Sequence, residues 1–226
     1  MISIVAILIS SKLILGPVVI AILLGIIIGN IFYFDKKYSN GISFSESTLL
    51  NFSIILMGFN LDTIVLKKIN YDIIILLLIL IISSLIITFI LGRIFKISSN
   101  LSILLGVGNG VCGSSAIAGA SKILKSKEEE IALSISAINI IGALSIFFVP
   151  YIINVLSIND NFNQGVIIGS TIQAVGQVVA AGHIFGVDVG ETATLIKMVR
   201  ILSLGPLLFC LSLFMKSKES NIFKNI

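Results

Sequence analysis

With 226 residues, 57% of them hydrophobic and only 12% charged, the chain stands far from soluble domains, in which about a quarter of residues carry charge. A mean hydropathy of +1.14 over the whole length leaves no room for a soluble domain hidden in the average. The net charge of +4 sits in loops and tail, which suits lipid headgroups, and no basic, aromatic-rich stripe points to nucleic acid.

Residues 2–11 are apolar but too short to span a bilayer, and they lack the basic start of a secretory signal. The first predicted span is 13–34, in which Gly25 and Gly29 form a small-xxx-small face for close helix approach. A polar loop with Asp35, Lys36, Lys37 and Glu46 follows. Segment 48–66 is apolar but interrupted by Asn51, Gly58, Asn60 and Asp62, which fits a span or a re-entrant half-helix. Residues 71–91 form one apolar run that meets the roughly 20-residue requirement for a spanning helix, with no polar stripe. Arg93 and Lys96 then mark a surface. Further spans at 101–122, 128–153, 164–186 and 192–215 bring the total to about six or seven, so the chain is predicted to be an all-α, polytopic membrane protein with a single integral membrane domain over 1–226. With seven crossings, Lys12, Lys67, Lys68, Lys122, Lys125 and Lys127 fall on one side and Lys36, Lys37, Arg93, Lys96, Lys216, Lys218 and Lys224 on the other. So even a division gives the positive-inside rule nothing to choose between.

Two stretches at membrane depth, 106–121 and 165–182, are built from glycine, small residues and uncharged hydrogen-bonding groups. In lipid, such poorly helical backbone survives only when it is buried in protein or lines a watery cavity, and transporters place substrate at such interruptions. Gly106, Gly108, Gly110 and Gly113 each weaken a helix, by up to about 1 kcal/mol relative to alanine, and predict a break. Ser114 and Ser115 then suit the N-cap of a new helix over 116–124 whose free N–H groups form an anion site, with Asn109 offering donor and acceptor beside it. Tight packing of a continuous glycine-lined helix is the competing explanation. In the second stretch Gly169, Ser170, Thr171, Gln173, Gly176 and Gln177 put hydroxyls and carboxamides at the same depth. Gln173 and Gln177, four apart, are expected to share a helix face, where amides also serve simply to join helices.

Ser126 and Glu129 have the spacing of a capping box at the head of the 128–153 helix, where Glu128, Glu129 and Glu130 suit the dipole. Lys197 and Arg200 precede an apolar run too short to span, so the helix must draw both into the membrane. Snorkelling to the interface is the default for such cations; facing a cavity, they would attract an anion. Two lone cysteines, Cys112 and Cys210, and a single histidine, His183, give neither a disulfide framework nor a metal-ligand set, and no cofactor is expected.

The segments Gly108–Ala118 (GNGVCGSSAIA), Lys125–Glu130 (KSKEEE), Ala174–Gly182 (AVGQVVAAG) and Ala193–Arg200 (ATLIKMVR), in that order, resemble the YeiH-like family of bacterial multi-pass inner-membrane proteins, to which sulfate export is attributed. Leu23–Asn30 and Leu56–Gly58 are similar to it too. The resemblance covers nearly the whole chain. It implies a secondary carrier with two crossed, discontinuous helices, similar in architecture to sodium/proton antiporters and bile-acid symporters. Gln173 and Ala174 stand where members carry an ionisable pair, and members extend further at both ends, so a truncated copy or a half-size form completed by pairing is expected.

The expected function is therefore transport of a small anion, sulfate or a related organosulfur or organic anion, across the bacterial inner membrane. The substrate-facing set is Asn109, Gly110, Gly113, Ser114, Ser115, Ser170, Thr171, Gln173 and Gln177, with Lys197 and Arg200 as electrostatic partners. A sodium- or proton-coupled cation exchanger is the alternative within transport, although no carboxylate lies in the central segments. An inactive copy or structural membrane subunit is a further one. An intramembrane enzyme is not expected, because Cys112 and Ser114 have no partner base in the motifs. A carrier needs two halves around a central site, and this chain is short for both, so at least a homodimer is expected, paired through Gly25 and Gly29 or Gly165 and Gly169.

Overall fold

The computed structural model describes residues 2–10, scattered positions between 20 and 52, and residues 70–224. The chain forms two compact units, 1–68 and 69–226. In the first, helix α1 (Ile2–Ser10) and a single π-helical turn at Ser45–Leu49 are defined. The predicted spans 13–34 and 48–66 lie for the most part outside the described residues.

The second unit holds the central segments, and every regular element described there is helical. Helix α2 (Tyr71–Ile94) turns Leu77 and Ile81 inward and leaves Ile75, Ile79, Ile82, Ile86 and Ile90 exposed. Apolar residues exposed along the length of a helix are at home in lipid rather than in water. Helix α2, helix α5 (Glu128–Val155) and the run Val187–Met215 are each long and apolar enough to cross a membrane.

Between these lie two interrupted helices. Helix α3 (Ser99–Gly110) continues after three residues as α4 (Ser114–Leu124), and α6 (Asn161–Thr171) continues after three as α7 (Val175–Gly182). Helices α8 (Val187–Leu202) and α9 (Leu204–Lys224) complete the unit. The starts are set by side chains: Ser98 Oγ accepts from Leu101 N–H at 3.1 Å to open α3, and Asp160 Oδ2 accepts from Asn163 N–H at 2.8 Å to open α6. At α5 the box is shifted one residue from the expected Ser126–Glu129 pair. Lys127 is the N-cap, and its N–H donates to Glu130 Oε2 at 3.2 Å.

The first break is shorter than the glycine pattern predicts. Gly106, Gly108 and Gly110 are all helical, because neighbours close in where side chains are missing: a Cβ on Gly108 would stand 2.8 Å from Ile117 of α4, and one on Gly106 3.1 Å from the α2 backbone at Leu85. The packing explanation thus holds for Gly106 and Gly108, and the broken helix for 111–113. Leu104, Val107, Val111, Ile117 and Ile138 form the apolar core around this turn. Gly165 and Gly169 do not offer an outer pairing face. They are buried under α8, where added Cβ atoms would meet Thr192 Cβ at 2.6 Å and Ile196 Cβ at 2.8 Å.

Candidate functional site

A helix that stops leaves its last carbonyls without intrahelical donors. At the end of α3, Val111 N–H still reaches Val107 O and Gly113 N–H reaches Gly108 O, while the carbonyls of Asn109, Gly110 and Val111 turn to side chains of α8. At the end of α6, Ile172 N–H reaches Ile168 O, and the carbonyls of Ser170 and Ile172 do the same. The donors are Lys197 and Arg200, three residues apart and so on one face of α8. Lys197 Nζ donates to Val111 O at 2.6 Å and to Ile172 O at 2.8 Å. Arg200 Nε donates to Gly110 O and Nη1 to Ser170 O, both at 2.5 Å, and Nη2 to Asn109 O. Each cation therefore ties one break to the other.

Both side chains are inside the protein, Lys197 with 0% and Arg200 with 3% of its surface exposed, so neither snorkels. The negative ends of two helix dipoles and the five carbonyls stabilise the charges where they stand. Among the described residues no carboxylate acts on Lys197 or Arg200, and the Arg200 guanidinium keeps its positive charge.

The second half-helices start differently from expectation. Helix α4 opens on Gly113 at φ 68° and ψ −127°, a backbone conformation that glycine alone adopts readily, and no serine side chain caps it. Ser115 Oγ instead turns back to Cys112, 2.9 Å from its Sγ. Gln173 and Gln177 do not share a helix face, because Gln173 lies in the break, and Gln177 Oε1 accepts from Ala174 N–H at 3.2 Å to close the start of α7.

Beside the crossing is a cavity of about 370 Å³. It brings together five of the expected residues, Asn109, Ser170, Thr171, Gln173 and Arg200, and adds Ser83, Ser84 and Thr88 from α2 and Ser145 from α5. Those four were missed in the sequence. Ser84 and Thr88, spaced i, i+4 inside an otherwise apolar run, were the signal available. Gly110 contributes its carbonyl to the crossing, Gly113 its turn and Lys197 its ammonium, whereas Ser114, Ser115 and Gln177 stand outside the cavity lining. A hydrogen-bond chain crosses one wall: Ser84 Oγ donates to Gly106 O at 3.1 Å, Asn109 Nδ2 to Ser84 Oγ at 3.2 Å, and Gln173 Nε2 to Asn109 Oδ1 at 2.7 Å.

Over residues 1–225 the sequence matches the protein family described as Conserved hypothetical protein 698. The chain belongs to that family, the YeiH-like one that its motifs resemble. The UPF0324 membrane protein of Bartonella henselae is 37% identical over 210 residues, which cover 92% of this chain and 60% of the relative. That of Clostridium perfringens is 34% identical over 190 residues, 84% of this chain and 56% of the relative. That of Lactococcus lactis is 35% identical over 190 residues, 84% and 57% respectively. The chain spans about three fifths of the length of these curated relatives, and like them it is a membrane protein. No solved structure matches.

Proposed function

We propose that this protein is a secondary carrier for a small anion in the bacterial inner membrane. The observation that carries this reading is a pair of buried basic side chains, without carboxylate partners among the described residues, at the junction of two broken helices beside a cavity whose lining includes Asn109, Ser170, Thr171 and Gln173. Discontinuous helices at a junction are how secondary transporters build substrate sites, and the cavity volume lies within the range of small-molecule sites. The positive charge of Arg200, which lines the cavity, disfavours a cation in the same place. A carrier rather than an enzyme fits the neighbours of the reactive groups: Cys112 Sγ faces Ser115 Oγ, and His183 Nδ1 sits 2.8 Å from Val179 O. The functional unit is at least a homodimer in this reading, with Gly25 and Gly29 exposed and open around their Cα atoms.

Uptake and counterflow in proteoliposomes, measured against a panel of small anions with the particle mass determined in nanodiscs, test it. Saturable anion uptake that falls at least tenfold in Asn109→Ala is expected. Sodium binding with no anion transport would replace this reading with a cation exchanger, and no transport at all would leave a structural subunit or an inactive copy.

A further inference from the structure

The cavity is less polar than the names of its residues suggest. Six hydroxyls line it, and all but that of Thr171 give their single proton to a backbone carbonyl, which can only accept. Ser83, Thr88, Ser145 and Ser170 donate to the preceding turn of their own helices at 2.6–3.2 Å, and Ser84 donates to Gly106 O. What remains for an anion is above all the Arg200 guanidinium, which gives three of its five N–H groups to carbonyls and keeps two. Much of the remaining wall is carbon, from Leu80 and Ile87 of α2 and Ile141 of α5. Along α2 the lining runs on one face from Leu80 to Thr88, about 12 Å of helix. The junction meets that face near Ser84: Asn109 Nδ2 reaches Ser84 Oγ, and a Cβ on Gly110 would stand 3.6 Å from Ser84 Cβ. Leu80 therefore lies a turn to one side of the charged group and Ile87 a turn to the other. A bare tetrahedral oxyanion of five heavy atoms beside Arg200 would leave much of the space of about 370 Å³ unfilled against carbon. It would also meet too few donors to replace the water it gave up.

We infer that the ligand of this cavity is an organic anion, an oxyanion head at Arg200 joined to a short hydrocarbon part that lies against Leu80, Ile87 and Ile141, and not a bare inorganic ion such as sulfate. The inference rests on the carrier reading and names its substrate class. The guanidinium favours the negative charge, and burial of the hydrocarbon supplies the affinity that the spent hydroxyls do not.

Isothermal titration calorimetry of the 226-residue chain in nanodiscs, with empty nanodiscs as the blank, is the test. Methanesulfonate, ethanesulfonate and propanesulfonate form one series and acetate, propionate and butyrate another, each adding methylenes to a constant charged head, with sulfate alongside. Each methylene is expected to tighten binding about three- to fourfold in at least one series, the gain that burying one CH₂ produces, and the longest member should bind more tightly than sulfate. In the triple variant Leu80→Thr, Ile87→Thr, Ile141→Thr the gain per methylene should fall below about twofold. The wild-type series needs no variant to fold. Flat affinities along both series, sulfate binding more tightly than every organic anion, or a gain that survives the triple variant would overturn the organic-anion assignment while leaving an anion carrier standing. Failure of sulfate and both series to bind would overturn the carrier reading with it.

Discussion

Arg200→Lys preserves the positive charge and removes the fork. Arg200 reaches three carbonyls, Gly110 and Asn109 at the end of α3 and Ser170 at the end of α6. A lysine ammonium on a shorter, unbranched stem retains one of these contacts at best. Two buried carbonyls are then left without a donor, each costing about 1–3 kcal/mol, or about 2–6 kcal/mol together. In a chain of this size 1 kcal/mol moves the midpoint by roughly 2–4 °C, so the expected fall in Tm is roughly 4–24 °C. Arg93→Lys is the control, since Arg93 is exposed and only overlies the Phe89 ring at 5.2 Å; it should move Tm by less than about 2 °C. Thermal melts in nanodiscs, followed by circular dichroism and by loss of the monodisperse peak, read both. Equal melting of Arg200→Lys and wild type would refute the idea that the two helix ends depend on this guanidinium.

Gly113→Ala places a Cβ on a backbone at φ 68° and should lower stability by about 1–3 kcal/mol, seen in the same melts, although the nearest side-chain atom to that Cβ is 3.5 Å away. Ser114→Ala together with Ser115→Ala should change stability by less than about 0.5 kcal/mol, since neither hydroxyl caps α4. A larger loss would restore the capping role that their position in the sequence suggests.

The two breaks were legible because glycine, serine and amide residues have no reason to gather at membrane depth unless backbone there departs from a helix. Their limits were not, because a glycine that weakens a helix and a glycine that admits a neighbour look alike in one dimension; Gly108 is the second kind only because Ile117 comes back over it. Lys197 and Arg200 stood out as charges in the wrong place, yet their acceptors are backbone atoms 25 to 91 residues away, which no side-chain pattern reveals. The same holds for Gln173, whose partner Asn109 lies 64 residues back. Local spacing misled where it assumed a continuous helix: Gln173 and Gln177 share a face only if 172–174 is helical, and it is not.

Helix α8 holds both interrupted helices with two side chains one turn apart, and this has a mechanical consequence. Shifting α8 along its axis would part five carbonyls from two cations, each parting worth about 1.5–3 kcal/mol at a charged donor. Shifting one break alone would strand whichever cation stayed behind. Helix α8 and the two breaks therefore behave as one rigid block with no cheap internal slip plane. If the protein is the carrier proposed above, the displacement that opens the cavity to either side of the bilayer is taken up at the outer surfaces of that block and not at the crossing itself.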